Sequence, residues 1–390
     1  MGEELIIGSS ELKLDDYYYN ELDILGFSQM LKDPSYCYKF YWLEAIIKLI
    51  SRNVKITTFD NIIDEMICNA WYTVLEFHVH LSGMMLGEAR DGLERAVLRL
   101  HELSNLRADS DADEIKRAIQ EYNCDSVFKG YKEQLTKNVP YYACSQFFEN
   151  HGYKVDGTIG RFIKYADLIN ATTPLPYMLG KSNGLNREVY FSEKWIPMFK
   201  DNTSSILGWI QYEKLKWLQN NNPEIPSLVY KLAPLDFKMR KLNHVRELWE
   251  CVLEQKSFVD VFTDSPIEKG KYDIDHFIPW SFVMNDELWN LMPMDSGLNS
   301  SKSNRLPSWA TYFGRFANNQ FELYSMINDD AKPQIHRLFE ACFKDNLHSI
   351  WGDELYQKGK TKEEFCNILK RNMEPVYDSA KRQGYQEWHI

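Results

Sequence analysis

Residues Tyr272 to Pro307 read YDIDHFIPWSFVMNDELWNLMPMDSGLNSSKSNRLP. The stretch opens with a short β-prone run that ends in adjacent Asp275 and His276. It bends at Pro279 and Trp280, then enters a second apolar run, Leu291 to Met294. It closes in a polar, helix-length segment containing Asn299 and Lys302. This order predicts strand, loop, strand, helix.

These residue types suit one chemistry. Hydrolysis of a phosphodiester needs a cation to stabilise charge on the phosphoryl oxygens and the leaving group, a base to take a proton from water, and donors that hold the phosphate. Asp275 is a hard oxygen ligand for a divalent ion. Asn299 on the following helix supplies a neutral second ligand, with water and phosphate filling the remaining positions in the manner Mg²⁺ prefers. His276 is then free to act as the base, since an imidazole has a neutral fraction near working pH. Neighbours on a strand point to opposite faces, so Asp275 and His276 serve one site only if the strand ends or twists there. Pro279 is consistent with such an ending.

With Asp275-His276, Asn290, Asn299 and Lys302 in this order, the segment resembles an HNH, or ββα-metal, endonuclease domain. The spacing from Tyr272 to Pro307 is also similar to that of the HNH domain of RNA-guided CRISPR nucleases. The resemblance implies metal ligation by Asp275 and Asn299, with Mg²⁺ or Mn²⁺ as the ion, and His276 as general base. It further implies that Asn290 braces the loop between the strands and that Lys302 sits near the scissile phosphate.

Many HNH domains carry two CxxC pairs that bind a structural zinc, one before the Asp-His and one before the final Asn. Here those places hold Ser257 with Asp260, and Asp295 with Leu298. No thiolate zinc site can be built from them, and no structural zinc is expected. A ββα unit this small buries too little core to stand alone without staples, so it should pack on the helices around it.

The whole chain has 390 residues, enough for two or three domains, and 44% hydrophobic content supports real cores. The opening MGEELIIGSSELKLDD has neither a basic n-region nor a myristoylation pattern. No stretch is apolar enough to span a bilayer, so no membrane association is expected. Seven cysteines are scattered singly without a CxxC pair, the pattern of reduced thiols in a cytoplasmic protein. Net charge is −11 and the pI about 5.4, the wrong sign for binding nucleic acid through the whole surface. Basic contacts must then be local to the site, or a partner or second subunit supplies affinity.

Residues 1 to 36 are acidic and tyrosine-rich and read as a loosely structured lead-in. Tyr38, Phe40, Leu43, Ile47 and Ile50 then repeat at helical spacing, as do Ile62, Ile63, Met66, Ile67, Ala70 and Trp71, predicting a hydrophobic helix pair. This YKFYWLEAIIKLI and DEMICNAWY combination also resembles the N-terminal helical part of bacterial HNH proteins. Glu76, His78 and His80 would form a metal triad on a strand. The helical period running on through Val74 and Leu75 favours core-edge or surface positions instead. Asp109, Asp111 and Asp113 imitate a calcium loop but lack its glycine and final glutamate. Ser110 with Asp113 reads better as a helix cap before Ile115 to Tyr122.

Between 150 and 195, glycines and TTPLPY predict loops or a small β element, and GKSNGLN from Gly180 does not fit a phosphate loop. Helix returns from Trp195, broken by NNNPEIP, and another, capped by Asp236, leads into the motif. Lys231, Lys238, Arg240, Lys241 and Arg246 cluster near it. With Arg305 they form a candidate phosphate-contacting rim, against the alternative of an ordinary solvated helix face. Helices are expected after Pro307, including one opened by a Thr361–Glu364 capping box.

The expectation is an α+β protein, mostly α-helical, with a small ββα-metal module near the C-terminal third. Residues 1–235 form a helical recognition, partner or oligomerisation region, 236–310 the nuclease module with its leading helix, and 311–390 the helices that pack on it. The resemblance implies a metal-dependent nuclease acting on nucleic acid, DNA before RNA, in a bacterial restriction or anti-phage setting. It acts as a homo-oligomer or with a protein partner such as an ATPase. The alternatives are a silent HNH-fold scaffold that binds a protein, or an RNA-cleaving nuclease gated by a partner.

Overall fold

The computed structural model describes residues 16–32, 34, 36–82, 91–154, 159–232, 242–345 and 350–390. The chain is α+β and mostly helical, and it divides into two compact units, Met1–Pro223 and Glu224–Ile390.

In the first unit the helices Tyr38–Ser51 and Phe59–Phe77 pack on each other, and Gly92–Ser104 and Thr203–Asn221 pack on that pair. Three short strands, β1 (Ile56–Thr58), β2 (Tyr177–Leu179) and β3 (Glu188–Phe191), form an antiparallel sheet in the order β1-β3-β2. The Gly184–Asn186 turn of GKSNGLN lies between β2 and β3. Helix Phe59–Phe77 ends with His78 in the left-handed region at φ 51°, and His80 Nδ1 lies 3.0 Å from Glu94 Oε1. Neither histidine joins Glu76 on a strand.

Two local expectations are corrected. The segment from Asp16 is not a loose lead-in, because it forms helices Asp16–Glu21 and Ile24–Ser28. The reason is the apolar set Ile24, Phe27, Met30 and Leu31, all buried, with the Phe27 ring against Trp195, Phe199 and Trp209. The cap of helix Ala112–Tyr122 is Asp111 rather than Ser110. Its carboxylate accepts from Asp113 N and Glu114 N, and Glu114 returns the bond in a full capping box.

The second unit holds the motif. Helix Asn243–Gln255 leads in; Asp236, read as its cap, lies outside the described residues. Strands β4 (Tyr272–His276) and β5 (Leu291–Asp295) form an antiparallel hairpin in which Asp275 faces Met292 and His276 faces Leu291. Helix Ser296–Lys302 follows directly. Strands β6 (Leu306–Pro307) and β7 (Glu387–Trp388) pair in parallel and bring the end of the chain beside the motif.

The module does pack on its flanking helices. Ile274, Phe277, Ile278, Leu291, Met292 and Met294 share one continuous core with Trp249 and Val252 of the leading helix. Phe316 and Leu323 of helix Trp309–Ile327, and Leu369 and Met373 of helix Lys362–Arg382, complete it. The Thr361–Glu364 capping box opens that last helix. Among the described residues no helix is long and apolar enough to cross a membrane, and all seven cysteines are free.

Candidate active site

The hairpin and its helix lay two polar pairs side by side. Asp273 and Asp275 are two apart on β4 and so share a face. Asn299 and Lys302 are three apart on the helix and share one of its faces. Asn299 Nδ2 donates to Asp273 Oδ2 at 3.4 Å, and Lys302 Nζ lies 2.9 Å from Asp275 Oδ2.

Lys302 is fully buried, and its ammonium also donates to His276 O at 2.7 Å. It therefore points inward, not toward solvent where a phosphate would arrive. A buried ammonium requires acceptors, and these two satisfy it while joining the helix to the end of β4. The contact with Asp275 is an ion pair off the hydrogen-bonding direction, so Asp275 Oδ2 remains a buried acceptor without a hydrogen-bond donor.

Asp275 and His276 diverge, as strand neighbours must. The carboxylate turns to the helix and the imidazole to the loop between the strands. His276 is 2% exposed, with Nε2 3.1 Å from Asn285 O and 3.0 Å from Asp286 Oδ1. β4 ends at His276, and Phe277 N donates to Asn290 O at 2.8 Å.

Asn290 is fully buried and clamps that loop. Its Oδ1 accepts from Ile278 N and its Nδ2 donates to Ile278 O, both at 2.8 Å. The amide matches the donor and acceptor of one peptide residue, and no other side chain of that size presents both.

The zinc positions hold a different device. Asp260 is buried, and its Oδ1 accepts from Phe262 N and Thr263 N at 2.9 and 3.1 Å. Its Oδ2 crosses to Asp295 N at 3.1 Å. Asp295 in turn caps the motif helix, with Oδ1 accepting from Gly297 N and Leu298 N. One carboxylate thus bridges the two segments where the cysteine pairs of other HNH domains stand.

Of the basic rim, Lys231, Arg246 and Arg305 fall among the described residues. Lys231 is fully buried and donates to Phe282 O at 2.6 Å; burial pushes its ammonium down to about 7. Arg305 is exposed, but its guanidinium folds back on the carbonyls of Ser301 and Lys302 at the helix end. Arg246 is exposed, whereas Lys238, Arg240 and Lys241 lie outside the described residues.

The residues present suit a hard divalent cation. Asp275 keeps a buried oxygen that faces the Lys302 ammonium but accepts no hydrogen bond, and Asn299 spends an N–H on Asp273, which leaves its carbonyl oxygen as a neutral ligand. Among the described residues no three His, Cys, Asp or Glu side chains are grouped to hold a metal on their own. A cation here would take few protein ligands, completed by water and phosphate, as Mg²⁺ sites commonly do.

Sequence reasoning missed Asp273 and Asp286. Asp273 had a signal, because it stands two before Asp275 on a strand. Asp286 had none, since its approach to His276 depends on the path of the loop.

A two-stranded hairpin with Asp-His at the end of its first strand, followed by a helix bearing Asn and Lys, is the arrangement of a ββα nuclease module. Residues 260–308 match the family model HNH_4, described as HNH endonuclease. The segment is an HNH endonuclease domain, which makes nucleic acid its substrate class. No curated protein and no solved structure matches the chain.

Proposed function

We propose that the chain is a metal-dependent endonuclease that hydrolyses phosphodiester bonds, with DNA as the substrate. The observation that carries this is the joint placement of Asp275, His276, Asn290, Asn299 and Lys302 on one hairpin and the helix that follows it. A scaffold has no need of that set.

Mg²⁺ or Mn²⁺ held by Asp275 and Asn299 would supply Lewis-acid stabilisation of the charge developing on the phosphate and the leaving 3′ oxygen. His276 takes the proton from the attacking water. Lys302 orders Asp275 and the end of β4, and Asn290 fixes the loop opposite His276. The near-complete burial of His276 keeps bulk water away from the ring. Exposed Arg305, with Lys238, Arg240 and Lys241, would follow the phosphate backbone without reading sequence.

The acidic chain fits a nuclease whose affinity for nucleic acid is completed by oligomerisation or by a partner, such as an ATPase, recognised by residues 1–235. A bacterial restriction or anti-phage role, with activity gated by that partner, is the setting we infer.

The test is cleavage of supercoiled plasmid, linear duplex, single-stranded DNA and structured RNA with Mg²⁺ or Mn²⁺, comparing wild type with His276→Ala. Metal-dependent cleavage should fall by about 10²–10⁴-fold in the variant. Equal cleavage by both proteins would remove His276 from the mechanism. If RNA alone is cut, the substrate assignment changes but the site stands.

A further inference from the structure

His276 meets oxygen on one of its two nitrogens from two directions. The Asn285 carbonyl stands 3.1 Å from Nε2 and the Asp286 carboxylate 3.0 Å from the same atom. The side chains of His276 and Asp286 are 3% and 2% exposed, so solvent does little to screen the contact.

An unprotonated Nε2 would set its lone pair against a carbonyl and a carboxylate in a dry setting. A protonated Nε2 donates to the carbonyl and faces the carboxylate favourably. A neutral imidazole has only one N–H, so Nδ1 then carries the lone pair. The hydrogen bond itself runs to Asn285 O; Asp286 Oδ1 lies off the N–H direction and acts through its charge.

The backbone arranges this approach. The short helix Trp280–Val283 ends at Met284, which adopts φ 56° and donates its N–H to Trp280 O at 2.7 Å. A left-handed conformation is uncommon for a side chain like methionine. Here it turns the chain so that Asn285 and Asp286 come back over the imidazole.

We propose that Asp286 is a positioning residue which, with the Asn285 carbonyl, fixes the Nε2–H tautomer of His276 and makes Nδ1 the atom that accepts the proton from water. The proposal rests on the reading of His276 as the base. As the water oxygen bonds to phosphorus, its proton passes to Nδ1. The bond from phosphorus to the 3′ oxygen breaks, and the leaving alkoxide is protonated by solvent. The imidazolium so formed has N–H on both nitrogens, and the Asp286 carboxylate faces its positive charge.

The tautomer is read by nitrogen NMR on full-length, metal-free protein labelled with ¹⁵N-histidine, with His276→Ala identifying the signal among nine histidines. Wild type should show a protonated Nε2 and an unprotonated Nδ1. In Asp286→Asn the side-chain amide can present N–H to Nε2, so the other tautomer should become populated. On the substrate that wild type cleaves, kcat should fall about 10²-fold while KM and Mn²⁺ affinity stay within about threefold. A wild-type ring with its proton on Nδ1 overturns the proposal, as does Asp286→Asn with both the Nε2–H tautomer and wild-type kcat. The wild-type spectrum decides the tautomer even if Asp286→Asn does not fold, and Asp286→Ala, which removes the carboxylate without offering an N–H, then tests its part: an unchanged kcat there overturns the positioning role. Because that spectrum needs no substrate, failure of the nuclease reading in the cleavage panel is a separate result.

Discussion

Asp260 should be worth about 3 kcal/mol to the C-terminal unit, because it does by hydrogen bonding what zinc does in other HNH domains. Its Oδ1 holds the turn at Phe262 and Thr263, and its Oδ2 makes the bond that crosses to Asp295 N. Asp260→Ala removes all of these and leaves the buried Phe262 N–H and the part-buried Thr263 and Asp295 N–H groups without their acceptor. A hydrogen bond to a charged group contributes roughly 1.5–3 kcal/mol. The bond to the buried Phe262 N–H therefore accounts for about 2 kcal/mol and the part-buried bonds to Thr263 N and Asp295 N for about 1 more, since those two amides regain some water. In a unit of this size 3 kcal/mol lowers the melting temperature by about 6–12 °C.

Because the chain has two units, calorimetry should be joined by hydrogen exchange of the amides in Leu291 to Met294, which reports on the hairpin alone. Asp264→Asn is the control, since asparagine tolerates the left-handed φ of 60° at this position. The exposed ion pair of Asp264 with Arg315 should be worth less than about 1 kcal/mol. A chelator that strips zinc should leave the wild-type melting temperature unchanged. An Asp260→Ala protein within 1 kcal/mol of wild type, or a wild type unfolded by the chelator, would refute the reasoning.

Two further perturbations probe the buried lysines of this unit. Lys302→Met removes a buried cation and strands Asp275 Oδ2 and His276 O, at a cost of about 3–5 kcal/mol. Added Mn²⁺ should raise the melting temperature more in this variant than in wild type, and equal shifts would mean that Lys302 does not share Asp275 with a cation. Lys231 has its folded-state value lowered by burial to about 7, so between there and the ordinary lysine range the unfolded chain binds more protons. Its contribution therefore makes the C-terminal unit more stable as pH rises from 7 toward 10, with the destabilisation complete below 7. Lys231→Met should remove that slope and gain stability at pH 7, as read from melts of variant minus wild type; parallel curves would contradict it.

What the sequence displayed was whatever is carried by spacing along one short segment. Asp275-His276, Asn290, Asn299 and Lys302 lie within a single hairpin and helix, so their order already fixes which elements bear them. The capping box at Thr361 was legible for the same reason, since its bonds close over three residues. The cap at Asp111 was displaced by one because Ser110 offers the same chemistry one position earlier. Interactions that depend on chain path were hidden. Asp286 reaches His276 only through the left-handed turn at Met284, and Asp260 reaches Asp295 across 35 residues of sequence. At the zinc positions the sequence displayed only missing cysteines, not what replaced them. Phe27 was passed over because the acidic, tyrosine-rich run before it dominates the local composition, while its partners Trp195, Phe199 and Trp209 lie far along the chain.

The fate of the lysines bears on how an acidic chain engages nucleic acid. Counting Lys231, Lys238, Arg240, Lys241 and Arg246 as one neighbourhood treats every cation as available to phosphate. Burial takes Lys231 out of that set. Lys231 and Lys302 are wholly inside the C-terminal unit and committed to Phe282 O, His276 O and Asp275. In the N-terminal unit Lys132 is equally buried between Asp60 and Asp64, and Lys214 is buried against Glu44. A cation neutralised inside the protein releases no counterions from nucleic acid and adds nothing to the salt dependence of binding. The positive charge left to meet a phosphate backbone is therefore smaller than the lysine and arginine count suggests, on a chain whose net charge is already −11. Affinity in such a protein must come from a few exposed cations concentrated at the site, or from a surface that another subunit brings. The second source also offers a means of control, because a nuclease that holds nucleic acid weakly by itself cuts only where its partner has placed it.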